Sequence, residues 1–268
     1  MLLDDLLFRM PRLRRAISAL IPDRTVNVSF LHRSLALSSR LEIGLLRLSW
    51  LLNSSPTGNE LASLFSLAGL VRPGCTFVDV GANVGLYSVP MASLGEVLCF
   101  SVIAVEPSRR TASLLRRNLA PYPNATLIEG AASDRSGELI MANTGSASVT
   151  FRVVESREIR GASQNGAGAH RTACFRLDER PEIRDRADLV VKIDVEGHEA
   201  QVLEGMEGLL VERRVSSIMI DGFRDSRIPE RLLSRDFELL DGRSLRPYHD
   251  HFNLLALSRN RTQRGGYG

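Results

Sequence analysis

The feature that most constrains the fold is a strand pattern that runs directly into a glycine turn and then into a helix. The residues are FVDVGANVGLYSV, numbers 77–89. Gly81 and Gly85 lack a Cβ, so the backbone can approach a ligand there, while N–H groups of the following helix face that ligand. This order is typical of the first unit of a doubly wound α/β fold that binds a nucleotide.

From residue 75 onward, short β-branched runs alternate with helical patterns, which predicts a mostly parallel sheet with helices on both faces. We predict strands at residues 76–80, 102–106, 126–129, 189–194, 216–221, 237–240 and 252–257, and helices at 85–94, 108–119, 198–211 and 227–234. The connection between the last two strands is too short for a crossover helix, so we expect them to be antiparallel neighbours.

The remaining segments predict one domain with additions at both ends. Residues 1–60 carry helical and extended patches, and we expect them to form an N-terminal helical and extended cap on a domain at 61–258. Within that domain, GELIMA and SVTFRVV (137–154) predict a β-excursion from the main sheet, and residues 155–171 predict a mobile loop rich in Gly, Ser and Asn. We expect the tail at 259–268 to be disordered.

The charge of the chain excludes some partners and leaves others open. Net charge is +3 with a pI near 9.0, and basic residues are interleaved with acids, which gives no reason to expect nucleic acid as a partner. The densest basic cluster contains Arg9, Arg12, Arg14 and Arg15, in a segment that could form an amphipathic helix. Such a helix could pack on the domain or contact a membrane surface. No apolar run reaches the ~20 residues of a membrane-spanning helix.

The cysteines and the N-terminus predict a cytoplasmic protein. Cys75, Cys99 and Cys174 are odd in number, far apart and in apolar contexts, so we interpret them as core residues in a reducing compartment. The N-terminus does not resemble a signal peptide, because Asp4 and Asp5 interrupt any apolar region there.

Two acidic residues narrow the choice of ligand. Asp79 precedes Gly81, at the place where a pyrophosphate would bring its negative charge, so a cationic or zwitterionic group is favoured. Glu106 ends the second strand and is placed to accept hydrogen bonds from both hydroxyls of a ribose. A nucleoside with an amino-acid tail meets both conditions, and S-adenosylmethionine fits them better than NAD does.

Four segments, in their order and spacing, resemble the FkbM-type family of S-adenosylmethionine-dependent methyltransferases. They are FVDVGANVGLYSV, VIAVEPSRRTASLLRRNL, EGAASD and LVVKIDVEGHEAQVLEGM, and the resemblance covers residues 60–257. It implies the class I methyltransferase fold, a doubly wound, mostly parallel seven-stranded sheet with an antiparallel last strand. It also implies methyl transfer to a hydroxyl oxygen of a small molecule, a sugar or glycan, or a polyketide-type metabolite.

The resemblance also implies which residues bind the cofactor. The matching positions are Asp79, Gly81, Asn83 and Gly85 around the methionine portion with Tyr87 close by, Glu106 at the ribose, Pro107 at the adenine edge, and residues 131–134 beside the adenine with Ala132 as the direct contact. At the end of the fifth strand the family commonly has a glutamate, whereas this chain has Asp221.

The fourth predicted strand, LVVKID, carries the single lysine of the chain, Lys192. Alternate side chains of a strand share a face, so Lys192 and Asp194 interrupt together a central strand that should be apolar. We predict that Asp194 orients the methyl acceptor. Lys192 is either a base with a depressed pKa or a cation that holds Asp194 and Asp79 in place. His198, at the start of the next helix, is a further candidate for the base.

Other functions remain as alternatives. A short-chain nicotinamide oxidoreductase would need a YxxxK pair, but Asp188 stands four residues before Lys192. A catalytically silent cofactor-binding scaffold is a second alternative, although Gly81, Gly85 and Glu106 are intact. Nucleic-acid methylation would need an Asn-Pro-Pro-aromatic motif where IDVEG stands. A metal bound by Asp194, Glu196 and Asp221 is possible in principle, but no dense set of carboxylates argues for one, so we predict no metal site.

Overall fold

The computed structural model of the chain describes residues 22–39, 55–143, 151–153, 169–249 and 253–260. The predicted N-terminal amphipathic helix, most of the loop predicted at 155–171 and nearly all of the predicted tail lie outside these residues. In the described ranges, no helix is long and apolar enough to cross a membrane.

The described residues form an α/β fold of strands and mostly short helices. The strands are β1 (Thr25–Phe30), β2 (Arg33–Ser38), β3 (Thr76–Val80), β4 (Ser101–Glu106), β5 (Ala125–Glu129), β6 (Ala131–Ala132), β7 (Gly137–Asn143), β8 (Phe151–Val153), β9 (Ala169–Phe175), β10 (Leu189–Ile193), β11 (Val215–Ile220), β12 (Phe237–Asp241) and β13 (Leu254–Ser258). The helices are α1 (Ser55–Ala68), α2 (Ser88–Leu98), α3 (Arg109–Leu119), α4 (Pro181–Arg184), α5 (Glu199–Glu204), α6 (Glu207–Val211) and α7 (Ile228–Ser234). All strands predicted for the large sheet are present, within two residues of their predicted ends.

The large sheet has the strand order β12-β13-β11-β10-β3-β4-β5. Strand β13 is antiparallel to both β11 and β12, and the other pairs are parallel. This confirms the predicted fold, including the antiparallel last strand. The chain progresses outward in one direction from β3 to β5 and in the other direction from β10, so the order reverses between β3 and β10. Doubly wound folds bind ligands at the carboxyl ends of strands at such a point.

Both faces of the central strands are covered, which explains why these strands are apolar. Side chains of β3 alternate between two hydrophobic clusters: Val78 and Val80 pack on the side of α5 and α6, and Phe77 packs on the side of α1 and α2. Asp79 and Lys192 are paired in the register of β3 and β10 and face the second side. Two opposite charges are therefore buried in an otherwise apolar layer.

Tertiary contacts modify two of the predicted helices. The segment predicted as one helix at 198–211 is divided into α5 and α6 by Gly205 and Met206. A Cβ on Gly205 would overlap the carbonyl oxygen of Ser133, so the glycine allows close packing at this point. The helix predicted from residue 85 begins only at Ser88 because the glycine turn occupies the preceding residues. Cys99, predicted as a core residue, is exposed just beyond the end of α2.

The predicted β-excursion is a second sheet with the order β6-β9-β7-β8. Its strand β9 begins at Ala169, inside the segment predicted as a loop, so that prediction was wrong for residues 169–171. Along β9, Thr172 and Cys174 are buried while Arg171 and Ala173 are exposed, an alternation that these residue types do not show in the sequence.

Within the predicted N-terminal cap, residues 22–39 contain a hairpin of β1 and β2 with antiparallel register, and residues 55–60 are the beginning of α1, which continues past the predicted boundary. Leu35 and Leu37 of the hairpin are buried against the domain. The side chain of Asn118 in α3 accepts a hydrogen bond from the N–H of Ala36 at 2.6 Å and donates to the carbonyl of Val84 at 2.8 Å. The hairpin is therefore tied directly to the glycine turn.

Candidate active site

The turn between β3 and α2 lies against the ends of two neighbouring strands. The N–H groups of Gly81 and Ala82 both donate to the carbonyl of Val105 in β4, each at 3.0 Å. A Cβ on Gly81 would overlap the carbonyl oxygen of Asp194, and the φ of this glycine is +81°. Glycine meets both requirements, and the turn therefore closely approaches the end of β10.

Glu106, the last residue of β4, connects this turn to the start of α3. One carboxylate oxygen accepts a hydrogen bond from the N–H of Asn83 and the other accepts from the N–H of Ser108, both at 2.9 Å. Burial raises the pKa of Glu106 to about 7, although both backbone donors favour the charged form. Each oxygen has a second lone pair, so the carboxylate can accept further hydrogen bonds from a ligand.

A crevice of about 640 Å³, part of it open to solvent, lies between the glycine turn and the ends of β4 and β10. The predicted cofactor residues that line it are Gly81, Asn83, Glu106, Pro107 and Ala132, and the predicted catalytic residues that line it are Asp194 and His198. The crevice is therefore where the sequence motifs converge.

Four of the predicted residues do not line this crevice. They are Asp79, Gly85, Tyr87 and Lys192, which lie behind the glycine turn and the end of β10. Six further residues line the crevice that were not predicted as site residues, namely Val80, Val105, Gly130, Met141, Val195 and Glu196. Met141 comes from β7 of the small sheet, which the sequence pattern could not position relative to the large sheet.

Behind the crevice, the ammonium group of Lys192 lies between two carboxylates. Its Nζ is 3.1 Å from Oδ2 of Asp194 and 3.8 Å from Oδ1 of Asp79. Burial alone would lower the pKa of Lys192, but the charges of Asp194 and Asp79 outweigh burial and raise it. Lys192 is therefore protonated at neutral pH and has the geometry of a cation that links β10 to β3.

Asp79 is the more buried of these two carboxylates. Burial raises its pKa, while Lys192 and a hydrogen bond from the hydroxyl of Ser88 act in the opposite direction. The Ser88 oxygen lies 2.5 Å from Oδ2 of Asp79 and belongs to the first turn of α2. Asp79 thus connects α2 to the lysine and not to the crevice itself.

Tyr87 and Glu60 extend this arrangement toward α1. The Lys192 Nζ lies 4.5 Å from the centroid of the Tyr87 ring, within the range of a cation–π interaction. The Tyr87 hydroxyl donates a hydrogen bond to Oε2 of Glu60 at 2.6 Å. Burial raises the pKa of Glu60 despite this hydrogen bond. The sequence analysis missed Glu60, because a single glutamate at this place in a helix carries no distinguishing pattern.

Asp221, which follows β11, is a further carboxylate close enough to Asp194 and Lys192 to interact with their charges. When the Asn253 amide is oriented so that both of its ends are satisfied, its nitrogen donates to Oδ1 of Asp221 at 3.0 Å and its oxygen accepts from Nε of Arg243 at 2.7 Å. Burial raises the pKa of Asp221, and the charge of Asp194 raises it further. We call the connected residues the polar cluster: Glu60, Asp79, Tyr87, Lys192, Asp194 and Asp221.

His198 also lines the crevice. Its Nε2 is 2.9 Å from the hydroxyl oxygen of Ser133, which follows β6. Burial lowers the pKa of His198, so the ring is neutral at pH 7. In the described part of the chain, no group of three or more His, Cys, Asp or Glu side chains is arranged to hold a metal ion.

The residues that line the crevice fit S-adenosylmethionine. Glu106 offers a buried carboxylate with acceptor capacity to spare, as the two hydroxyls of a ribose require. Val105, Pro107 and Met141 provide apolar wall for a flat base. A sheet with this strand order and a crevice at the carboxyl ends of β3 and β4 together define the class I methyltransferases.

The family model of the methyltransferase FkbM domain matches residues 79–255, which is more than half of the chain. The chain belongs to this family. Membership confirms the predicted family and the predicted cofactor, S-adenosylmethionine. It also favours methyl transfer over the nicotinamide alternative. Among curated proteins, none matches the sequence.

Several solved methyltransferase structures are similar to this chain at low identity. Methyltransferase FkbM from Methylobacillus flagellatus KT is 16% identical with a TM-score of 0.48, over 95% of this chain and 60% of that chain. Precorrin-6y C5,15-methyltransferase from Geobacter metallireducens GS-15 is 13% identical with a TM-score of 0.40, over 78% and 92% of the respective chains. TYW2 from M. jannaschii, solved in complex with AdoMet, is 12% identical with a TM-score of 0.39, over 88% and 85%. The chain thus spans less than two-thirds of the length of the FkbM structure.

Proposed function

We propose that the protein is an O-methyltransferase that acts on a hydroxyl group of a small molecule, such as a sugar, glycan or polyketide-type metabolite. The observation that carries this proposal is the position of Asp194, whose side chain belongs both to the cofactor crevice and to the polar cluster. A hydroxyl bound at this carboxylate has a hydrogen-bond acceptor directly beside the cofactor site. When bound, S-adenosylmethionine supplies an electrophilic methyl group there.

In this proposal the crevice residues hold the cofactor by complementary chemistry. Glu106 accepts hydrogen bonds from the ribose hydroxyls, and Pro107 and Ala132 contact the adenine. Gly81 and Asn83 bring the backbone of the turn close to the methionine portion. Three other predicted residues, Asp79, Gly85 and Tyr87, support this turn from behind instead of lining the crevice.

Asp194 orients the acceptor in this proposal. Its side chain is 34% exposed, so a ligand can reach it, and its Oδ2 accepts the hydrogen bond from Lys192. That bond fixes the carboxylate and leaves Oδ1 for the acceptor hydroxyl. Holding the acceptor oxygen in line with its reaction partner lowers the entropic barrier, and accepting its proton adds general-base assistance.

Lys192 serves as a positioning cation in this proposal and does not act as the base. A base must be deprotonated at working pH, whereas the surrounding carboxylates raise the pKa of Lys192. A proton that leaves the acceptor can pass to a neighbouring carboxylate, because burial raises the pKa of Glu60 and Asp221 in the polar cluster and raises that of Glu196, at the crevice, to about 7.

The experiment uses S-adenosylmethionine labelled with carbon-13 in its methyl group and a panel of sugars, phenols and polyketide alcohols. Nuclear magnetic resonance of the products shows which atom carries the label. We expect a methyl ether, and we expect Asp194→Asn to lower kcat about 100-fold or more while changing S-adenosylhomocysteine affinity less than about threefold. Label on nitrogen or carbon would contradict the proposal, as would full turnover by the variant. Binding without turnover on any acceptor would favour the silent scaffold.

We also propose that the protein acts in the cytoplasm. All three cysteines lie in the described residues and none of them forms a disulfide, which supports a reducing compartment. An assay of the cysteine state in protein purified under alkylating conditions tests this, because an oxidised pair would contradict it.

A further inference from the structure

The side chain of His198 forms a hydrogen bond with Ser133, which is not part of the polar cluster. It follows β10 by a few residues, is only 9% exposed, and lines the crevice. Its Nε2 lies 2.9 Å from the hydroxyl oxygen of Ser133, and that hydroxyl lies 2.9 Å from Oδ1 of Asp134. The three side chains therefore form a short chain of hydrogen bonds along one wall of the crevice.

The direction of these hydrogen bonds follows from the number of protons. A serine hydroxyl has one proton, and a carboxylate can only accept, so the hydroxyl of Ser133 donates to Asp134. His198 must then carry its proton on Nε2 and donate to Ser133. Burial lowers the pKa of His198, with Asp134 and Arg135 acting in opposite directions, so the ring remains neutral. Nε2 is therefore already protonated and cannot take a proton from an acceptor hydroxyl, whereas Nδ1 of the neutral ring is unprotonated.

The segment Ser133–Asp134, which receives this hydrogen bond, also has three contacts with groups outside the crevice. The N–H of Ser133 donates to the carbonyl of Phe175 at 2.9 Å. The guanidinium of Arg176 donates to the carbonyl of Asp134 at 2.8 Å. The backbone of Ser133 also packs so closely on Gly205, at the end of α5, that a Cβ there would lie 2.8 Å from the Ser133 carbonyl carbon. His198 supplies the contact on the crevice side.

We infer that His198 is a positioning residue that holds the Ser133–Asp134 segment, and with it the crevice wall formed by Ala131 and Ala132, in the conformation that binds the cofactor. This inference rests on the proposed function, because it assigns the crevice to S-adenosylmethionine. It assigns Nε2 of His198 to Ser133, so this nitrogen is not the base. Through Ser133, the residue acts on cofactor affinity.

The test measures S-adenosylhomocysteine binding by calorimetry for the full chain, three single variants and one double variant. His198→Ala removes the donor, Ser133→Ala removes the acceptor, and His198→Gln retains an N–H donor of similar reach. We expect Kd to rise about tenfold for each alanine variant, as for a lost buried hydrogen bond, and to recover within about threefold in His198→Gln. The double alanine variant should be no weaker than either single variant, because both changes remove the same interaction.

Ser136→Ala is the matched control, since the Ser136 hydroxyl bonds to Glu179 on an exposed surface outside the crevice. It should leave Kd unchanged. The melting temperature of each variant is measured as well, and it should fall by no more than about 2–4 °C. A fall of this size excludes unfolding as the cause of weaker binding. Unchanged Kd in His198→Ala would overturn the inference, and so would additive effects in the double variant or a kcat loss of about 100-fold with unchanged Kd.

These outcomes separate the inference from the proposed function. Wild-type protein that binds S-adenosylhomocysteine but methylates no hydroxyl contradicts the proposed function, while the affinities still test His198. Wild-type protein without measurable S-adenosylhomocysteine affinity overturns both.

Discussion

Substitution of Gly81 by alanine tests the close approach between the glycine turn and the end of β10, on which the crevice depends. The new methyl group would overlap the carbonyl oxygen of Asp194 and lie 2.9 Å from its carbonyl carbon. Carbon atoms in contact prefer about 3.5–4.0 Å, so the turn and strand must separate by about 1 Å. Alanine must also adopt a φ of +81°, which L-residues disfavour.

The structure provides a matched control for the backbone strain. Gly74, before β3, has the same φ of +81°, but a Cβ there would meet nothing within 4 Å. Gly74→Ala should cost only the left-handed conformation, about 1–2 kcal/mol. Gly81→Ala should add overpacking of about 1–3 kcal/mol. Because about 2–4 °C corresponds to 1 kcal/mol in chains of nearly this size, Gly81→Ala should lower the melting temperature by several degrees more than its control.

The binding readout separates the site from general stability. A displacement of about 1 Å at a binding surface can cost up to about 100-fold in function, so we expect S-adenosylhomocysteine affinity to fall at least about tenfold in Gly81→Ala. Gly74→Ala should bind like the wild type. Calorimetry at a temperature where all three proteins are folded makes this comparison. Equal melting temperatures and equal affinities for the two variants would refute the reasoning.

Three further predictions concern the charged residues of the site. Lys192→Arg should lose most turnover and lower the free energy of unfolding by about 1–3 kcal/mol. The larger planar guanidinium must fit where Nζ of Lys192 lies 3.1 Å from Asp194 and 4.5 Å from the Tyr87 ring centroid. Turnover at the wild-type rate would contradict this prediction. Lys192→Met should destabilise the protein by about 3–5 kcal/mol at pH 8 and by less at pH 6 in urea unfolding, and a pH-independent loss would argue against it. The loss is larger at pH 8 because the charge of Lys192 lowers the pKa of Asp79, which burial raises, so removing Lys192 raises this pKa further. A group whose pKa is raised in the folded state takes up protons on folding, and the variant therefore loses stability as pH rises. At pH values below about 7, S-adenosylhomocysteine affinity should decrease, because the pKa of Glu106 is raised to about 7 and its carboxylate becomes protonated there. Glu106→Gln should remove this pH dependence. An identical pH profile in the variant would exclude Glu106 as the source of the dependence.

The large sheet could be predicted because each of its strands is a short apolar run with turn residues at both ends. Burial on both faces requires such runs, so β3, β10 and β11 were recognisable without any tertiary information. Strand β9 was missed because its partner β7 lies far away in the sequence, and pairing between distant segments leaves little local signal. The break between α5 and α6 depends on contact between Gly205 and Ser133, which no local pattern encodes.

The residues of the site's motifs could be predicted from the sequence, but which of them line the crevice and which lie behind it could not. Asp79 was expected at the cofactor because it precedes the glycine turn. Alternation along β3 instead directs it to the side of α2, where Ser88 and Lys192 contact it. Glu60 lies in α1, before the first residue matched by the family model, and only the fold brings it to Tyr87. Strand periodicity correctly placed Lys192 and Asp194 together on one face, since that geometry is local.

The central claim is that the crevice beside Glu106 is the site of S-adenosylmethionine. Calorimetric titration of S-adenosylhomocysteine into the wild type and Glu106→Ala tests it most directly. We expect clear binding by the wild type and a loss of at least about 10- to 100-fold in the variant, because hydrogen bonds to a buried carboxylate contribute about 1.5–3 kcal/mol each. Equal affinity of the two proteins, or no affinity in the wild type, would contradict the claim.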